Sequence, residues 1–192
     1  MNYKELSQKL REKIQMEKEP VAIKIYETTE EAEKELPKYE GQAKHCQLVS
    51  DSSTQKKSFY ATAEEINCPN GQLALGLTEK TTDALPQIPP LKKALGYAPL
   101  TDATFQPDVI VIYALPSQAF HVAQLFKTKL KTRFEANFNG TASLCADAVA
   151  YPYISGKSNM TLGCMGSRKF SDIKDEEMVI GLTFDEAQKI VE

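Results

Sequence analysis

The sequence predicts an α+β fold: a mixed β-sheet with helices packed on it, in a single compact domain. Three observations predict it. Asp108-Val109-Ile110-Val111-Ile112-Tyr113 is a continuous β-branched run, the pattern of a strand buried on both faces at the centre of a sheet. Helix-start signals recur from one end of the chain to the other. Strands and helices alternate loosely, without the regular βαβ rhythm of a doubly wound fold. At 192 residues, 42% of them hydrophobic, the chain can bury one sizeable core. No repeat of fixed period and no low-complexity tract divides it.

Taken in order, Asn2 and Glu5 have capping-box spacing, and Tyr3, Leu6, Leu10 and Ile14 recur at helical period. Pro20 ends that helix and opens the strand Val21–Tyr26. Thr28 and Glu31 cap a short acidic helix that Pro37 stops. His45 to Val49 opens an ordered element, the polar run 51–57 reads as a loop, and Ser58–Thr62 as a strand. Cys68-Pro69-Asn70-Gly71 turns into a helical stretch from Gln72 to Leu77. Residues 78–107, rich in Pro, Thr and Lys, are expected to hold only a short helix near Leu91–Leu95. Pro116-Ser117 starts a helix with Val122, Leu125 and Phe126 inward. Arg133–Phe138 alternates like a strand ending at the turn pair Asn139-Gly140. Small residues from Ala142 to Ala150 suggest a helix packed close to its neighbours. Ser158–Gly166 reads as strand and turn, Met178-Val179-Ile180 as the last strand, and Thr183 with Glu186 as the cap of a closing helix.

Composition narrows the functional classes. A formal net charge of -3 argues against a nucleic-acid binder, which needs a clustered basic face. The local run Lys127, Lys129, Lys131 and Arg133 reads first as a solvated helix end, with an anion patch as the alternative. No stretch approaches 18 apolar residues, and the charged start lacks an apolar leader, so a cytoplasmic protein with no membrane span is expected. In that compartment four cysteines are not expected to form structural disulfides. They are left as metal ligands, reactive thiols or buried small hydrophobes. A homo-oligomer rests only on the base rate for cytoplasmic proteins.

Two cysteine settings stand out. If Pro69 is the first helical residue, Cys68 occupies the N-cap, where free N–H groups favour a thiolate. Cys164 sits between Gly163 and Gly166, which let the backbone approach a bulky group, and Arg168 follows with a fixed charge. Cys46 follows His45, and Cys145 lies among small residues. Four thiolates from separate segments suit an iron–sulfur cluster or a tetrahedral zinc ion. No C-x-x-C pair supports this by spacing, and free cysteine often merely packs. Neither His45 nor His121 has metal-ligand spacing, and no P-loop or G-x-S-x-G elbow is present. Asp172, Asp175, Glu176 and Glu177 read as a solvated lead-in to the last strand.

Several pieces carry a resemblance. They are Pro20-Val21-Ala22-Ile23-Lys24, Cys46-Gln47, Cys68-Pro69-x-Gly71 running into Ala74-Leu75-Gly76-Leu77, and Pro107 through Ile112. Phe138-x-Gly140 before Cys145, Tyr153-x-x-Gly156, Gly163-Cys164-x-Gly166-x-Arg168, and Glu176-Glu177-Met178 with Gly181 continue the series. In this order and spacing they resemble, over nearly the whole length, the DUF169 family of bacterial and archaeal proteins of unknown function. The chain departs from that pattern at Asn70, where relatives often carry a second glycine, and at Thr183, where they often carry proline. The family signature falls on Cys46, Cys68, Cys145 and Cys164 with Arg168, which implies one shared site. The family's frequency in anaerobes implies an oxygen-sensitive iron–sulfur cluster rather than zinc, serving electron transfer or small-molecule redox chemistry. Gly163, Gly166 and Arg168 would hold the cluster's charge. Two alternatives stay open: a non-catalytic module binding a small anion at the Cys68 turn and Arg168, and an enzyme using Cys68 or Cys164 as a thiol nucleophile.

Overall fold

A computed structural model describes residues 1–192. Its frame is a six-stranded sheet of β1 (Val21–Tyr26), β2 (Phe59–Ala61), β3 (Ala94–Pro99), β4 (Val109–Ala114), β5 (Asn159–Thr161) and β6 (Met178–Thr183), in the order β2-β3-β1-β4-β6-β5. All five strand pairings are antiparallel, and parallel geometry is confined to two isolated bridges, Lys38 with Tyr60 and Ala43 with Ile66. The α+β expectation therefore holds, with one open sheet that is antiparallel along every ladder.

Both faces of this sheet are covered, and strand periodicity decides which residues serve each. In β4, Val109, Val111 and Tyr113 point into one core while Ile110, Ile112 and Ala114 point into the other. On the second face lie α1 (Tyr3–Ile14), α2 (Thr29–Glu35), α5 (Pro116–Leu125) and α9 (Phe184–Val191). Their buried Leu6, Leu10, Ile14, Ala32, Val122 and Ile190 close that core. The capping boxes at Asn2–Glu5 and Thr28–Glu31 form as expected, and the Thr183 hydroxyl accepts the Glu186 N–H. Buried Glu19 ties this layer to the sheet, its carboxylate accepting from the Ser7 hydroxyl at 2.6 Å and the Thr101 hydroxyl at 2.5 Å.

The first face carries α3 (His45–Gln55), α4 (Pro69–Ala74), α6 (Ser143–Cys145), α7 (Tyr151–Ser155) and α8 (Met165–Phe170). A π-helical turn, Ala146–Ala150, joins α6 to α7 in one continuous helix. This helix can lie against the sheet because Gly181 has no side chain. A Cβ there would overlap the Ala148 carbonyl oxygen and stand 2.7 Å from its carbon. The run of small residues from Ala142 to Ala150 is thus explained by close backbone packing on β6.

Three expectations are corrected. Residues 51–55 are helical rather than loop, because Ser52 and Ser53 are buried and the Ser53 hydroxyl donates to the Glu19 carbonyl at 2.8 Å. Tertiary packing there outweighs the weak helix propensity of serine. Instead of a helix near Leu91–Leu95, the 78–107 span contains β3, fully buried and paired on both sides by β1 and β2. Ala-Leu-Gly-Tyr-Ala-Pro has little intrinsic strand character, so the neighbours impose the conformation. Arg133–Phe138 forms no strand. Phe134 instead packs edge-on against Phe126 at 4.8 Å, and the Asn137 N–H donates to the Asn159 side chain. No helix is long and apolar enough to cross a membrane.

Candidate functional site: four cysteines on one face of the sheet

The four cysteines arrive on four segments of the first face. Cys46 lies in the first turn of α3 and Cys145 ends α6, and both are buried. Cys68 and Cys164 occupy the N-cap positions of α4 and α8 and are partly exposed. All four are free thiols. The N-cap placement of Cys68, with Pro69 in the first turn, is the one its sequence context suggests. At Cys164 the sulfur itself accepts the Ser167 N–H at 3.4 Å, while the buried Ser167 hydroxyl accepts the Cys164 N–H at 3.0 Å.

Two glycines organise the sulfurs into pairs. A Cβ on Gly71 would stand 3.3 Å from the Cys68 sulfur and 3.4 Å from the Cys145 sulfur, so these two meet across one glycine. The second pair surrounds Gly166. Its Cβ position is 3.6 Å from the Cys164 sulfur, and its carbonyl lies 3.8 Å from the Cys46 sulfur, which donates to it.

The pairs share one electrostatic neighbourhood. Burial first, then the Cys164 and Cys68 thiols, push Cys46 up to about 12. Cys145 is held well above the ordinary thiol range by burial first, then by Cys68, Cys46 and Cys164. Without a cation nearby, both buried cysteines are neutral thiols at neutral pH. As the side chains stand, no group of three or more His, Cys, Asp or Glu residues is close enough to hold a single metal ion. The cleft among Lys38, Thr62, Thr78 and Lys92 is lined by no cysteine.

Hydrogen bonds lock the segments that bring the sulfurs together. Asp172, beyond α8, accepts from the Ser50 hydroxyl of α3 at 3.1 Å and donates its N–H back to the same oxygen at 3.2 Å. This clasp fixes the Cys164 segment against the helix bearing Cys46. The Cys68 turn is held beside the start of α3 by two bonds, Ala43 N–H to the Glu65 carbonyl and Asn67 N–H to the Ala43 carbonyl, each 2.9 Å. Glu177 is also buried, accepting from Lys18 at 2.6 Å and from the Lys174 N–H at 2.8 Å. Of the acidic stretch read as solvated, Asp172, Asp175 and Glu176 are exposed, Asp172 while also bonding Ser50, and only Glu177 is buried.

Arg168 donates to the carbonyls of Leu162, Lys174 and Glu177 at 2.6, 2.6 and 3.1 Å, staking down the loop on both sides of α8. Gly163 has φ +78°, the left-handed turn that presents Cys164 to α8. Gly166 leaves open space beside the Cys164 sulfur, since nothing else lies within 4 Å of its Cβ position.

Two tyrosines not singled out from the sequence, together with His45, complete the surroundings. The hydroxyls of Tyr97 and Tyr113, on β3 and β4, are buried on this face without a hydrogen-bond partner. His45, wholly buried 5.7 Å from the Tyr97 ring, likewise has no partner for either nitrogen, and burial lowers its pKa to about 3. The one available signal was a tyrosine closing the buried run Val109–Tyr113. Its lack of a partner is legible only in three dimensions. His121, on the opposite face, sits 3.1 Å from the Ile14 carbonyl.

The fold and site together define an antiparallel α/β/α protein with four free thiols in the helical layer on one face of its sheet. Comparison places it in a family. The profile of DUF169, described as uncharacterised ArCR, matches residues 9–82 and 77–192, and the chain belongs to that family. It is 33% identical over 214 residues to the uncharacterized protein MJ0308 of Methanocaldococcus jannaschii, an alignment covering 98% of this chain and 92% of that one. No solved structure matches it.

Proposed function

We propose that this chain holds an iron–sulfur cluster through Cys46, Cys68, Cys145 and Cys164 and serves electron transfer or small-molecule redox chemistry. The observation that carries this reading is the convergence of the four sulfurs as two pairs, each gathered about a glycine. An all-sulfur donor set selects soft metals, zinc or iron–sulfur. A cluster whose cysteines bind separate irons suits two sulfur pairs better than one zinc ion, which needs all four sulfurs around a single centre. Bound there, a cluster would supply one-electron exchange.

The protein's own part is to hold the ligands and to shed their protons. Cys46 and Cys145, whose protons burial retains, would have to shed them to bind iron, whose positive charge would offset the thiolates. Cys68 and Cys164, partly exposed at the heads of six-residue helices, are the two ligands that solvent-borne iron and sulfide would reach first. Gly166 keeps side-chain bulk away from the Cys164 sulfur, Gly163 turns the chain into α8, and Arg168 secures the loop that carries Cys164.

Anaerobic purification followed by iron and acid-labile sulfide analysis and a visible spectrum tests this directly. A brown protein containing iron and sulfide, lost in the Cys145→Ser variant, is the expected result. A colourless protein that takes up neither on anaerobic reconstitution refutes it. The second reading, a thiol-dependent enzyme, draws on the Ser167 N–H that the Cys164 sulfur accepts. Rapid, stoichiometric alkylation of Cys164 alone in a protein that assembles no cluster would favour it.

A further inference from the structure

Two buried hydroxyls on the cysteine face have nothing to bond. Tyr97 is 0% exposed and Tyr113 is 3% exposed, and neither oxygen has a partner. Burying a hydroxyl without a partner leaves its desolvation uncompensated, and few native groups are left so. Phenylalanine would fill either position without that cost. Both rings lie in the same buried core cluster as Cys46 and Cys145. Burial holds both phenols well above their ordinary range, and after it Cys145 is the group felt at Tyr97 and Cys46 the first of those felt at Tyr113. Those two cysteines belong to different sulfur pairs, so there is one hydroxyl for each pair.

Sulfur chemistry supplies the missing partner. A neutral thiol is a poor acceptor, whereas a metal-bound thiolate or an inorganic sulfide is a good one. We propose that Tyr97 and Tyr113 are positioning residues whose hydroxyls donate to sulfur atoms of the loaded site, Tyr97 on the Cys145 side and Tyr113 on the Cys46 side. The inference rests on the cluster reading and adds to it the groups that set the cluster's retention and potential. Hydrogen bonds to cluster sulfur stabilise the more negative, reduced form, and second-shell donors fix the ligands in place. Packing around the rings, with Phe59 5.3 Å from Tyr97 and the Lys18 ammonium 5.1 Å over Tyr113, holds the hydroxyls in place before any cluster arrives.

The test uses Tyr97→Phe, Tyr113→Phe and the double variant, each reconstituted anaerobically with Fe²⁺ and sulfide beside the wild type. Three quantities are read: the rate of iron release to a chelator, the reduction potential, and the urea midpoint of the metal-free protein. Each single variant should release iron about 10-fold faster, with a potential shifted to more negative values. Its metal-free midpoint should be unchanged or higher, because an unpaired hydroxyl has been removed. Wild-type release and potential in both variants would overturn the inference and leave the cluster reading standing. A lowered metal-free midpoint with an unchanged potential would also overturn it, by showing that the hydroxyls serve a structural bond. A wild type that assembles no cluster would bring down both.

Discussion

Replacing Gly181 by alanine separates close backbone packing from every other cause of instability at this site. Gly181 lies in β6, opposite Val111, with a backbone conformation open to any residue, so alanine meets no conformational penalty. The added methyl meets the Ala148 carbonyl group head-on, with the carbon at 2.7 Å and the Ala148 Cα at 2.9 Å. Backbone on both sides cannot rotate away as a side chain can, so the helix of residues 143–155 has to lift from the sheet. Overpacking usually costs about 1–3 kcal/mol. Here the obstruction is main chain, so the cost should be about 3 kcal/mol or more. For a domain of this size each kcal/mol moves Tm by roughly 2–4 °C, which makes the expected loss roughly 6–12 °C. Thermal unfolding followed by circular dichroism reads it, with Gly166→Ala as the control, since a methyl there meets only the Cys164 sulfur at 3.6 Å. Because Cys145 rides on the displaced helix, its alkylation should quicken in the same variant. A Gly181→Ala protein melting within about 2 °C of wild type would refute the claim that this glycine sets the helix-to-sheet distance.

Three further expectations follow from the same geometry. In the metal-free native protein, iodoacetamide should modify Cys68 and Cys164 and spare Cys46 and Cys145 until urea unfolds the chain, as mass spectrometry of peptides will show. Modification of all four at equal rates would contradict the burial. Arg168→Lys should cost about 2 kcal/mol, because one ammonium cannot span the carbonyls of Leu162, Lys174 and Glu177, and Cys164 should become more reactive; denaturant titration decides this. Acid should loosen the Cys68 loop through Glu65. Burial opposes ionisation of this carboxyl, but bonds from the Thr62 N–H, the Thr62 hydroxyl and Lys38 prevail and hold it below its ordinary 4.5. The folded pKa is thus depressed, and its contribution is present above pH 4.5 and lost as pH falls through the folded value. Glu65→Gln should flatten that part of the stability-against-pH curve, and an unchanged acid limb would show that Glu65 is not responsible.

Much of the framework can be read from one-dimensional pattern. The capping residues Asn2, Thr28 and Thr183, the proline stops, the β-branched run at 109–113 and the small-residue helix all act through local sterics and hydrogen bonding within a few residues. Their signals survive without knowledge of the rest of the chain. Where the reading failed, the deciding partner was distant. Ser52 and Ser53 became helical because α3 packs across the sheet and reaches Glu19. Ala94–Pro99 became a strand because two neighbours claimed its hydrogen bonds.

The candidate site divides in the same way. Cysteine identity, the flanking glycines and the Cys-Pro helix start belong to the sequence, because they are properties of single residues and their immediate neighbours. The meeting of Cys68 with Cys145 over Gly71, and of Cys46 with Cys164 beside Gly166, was decided only by folding. So was the isolation of the Tyr97 and Tyr113 hydroxyls beneath them. Those relations join residues up to 120 positions apart, and no local rule carries information over such a span. They arise because the helical segments bearing the four cysteines all pack on the same face of one antiparallel sheet.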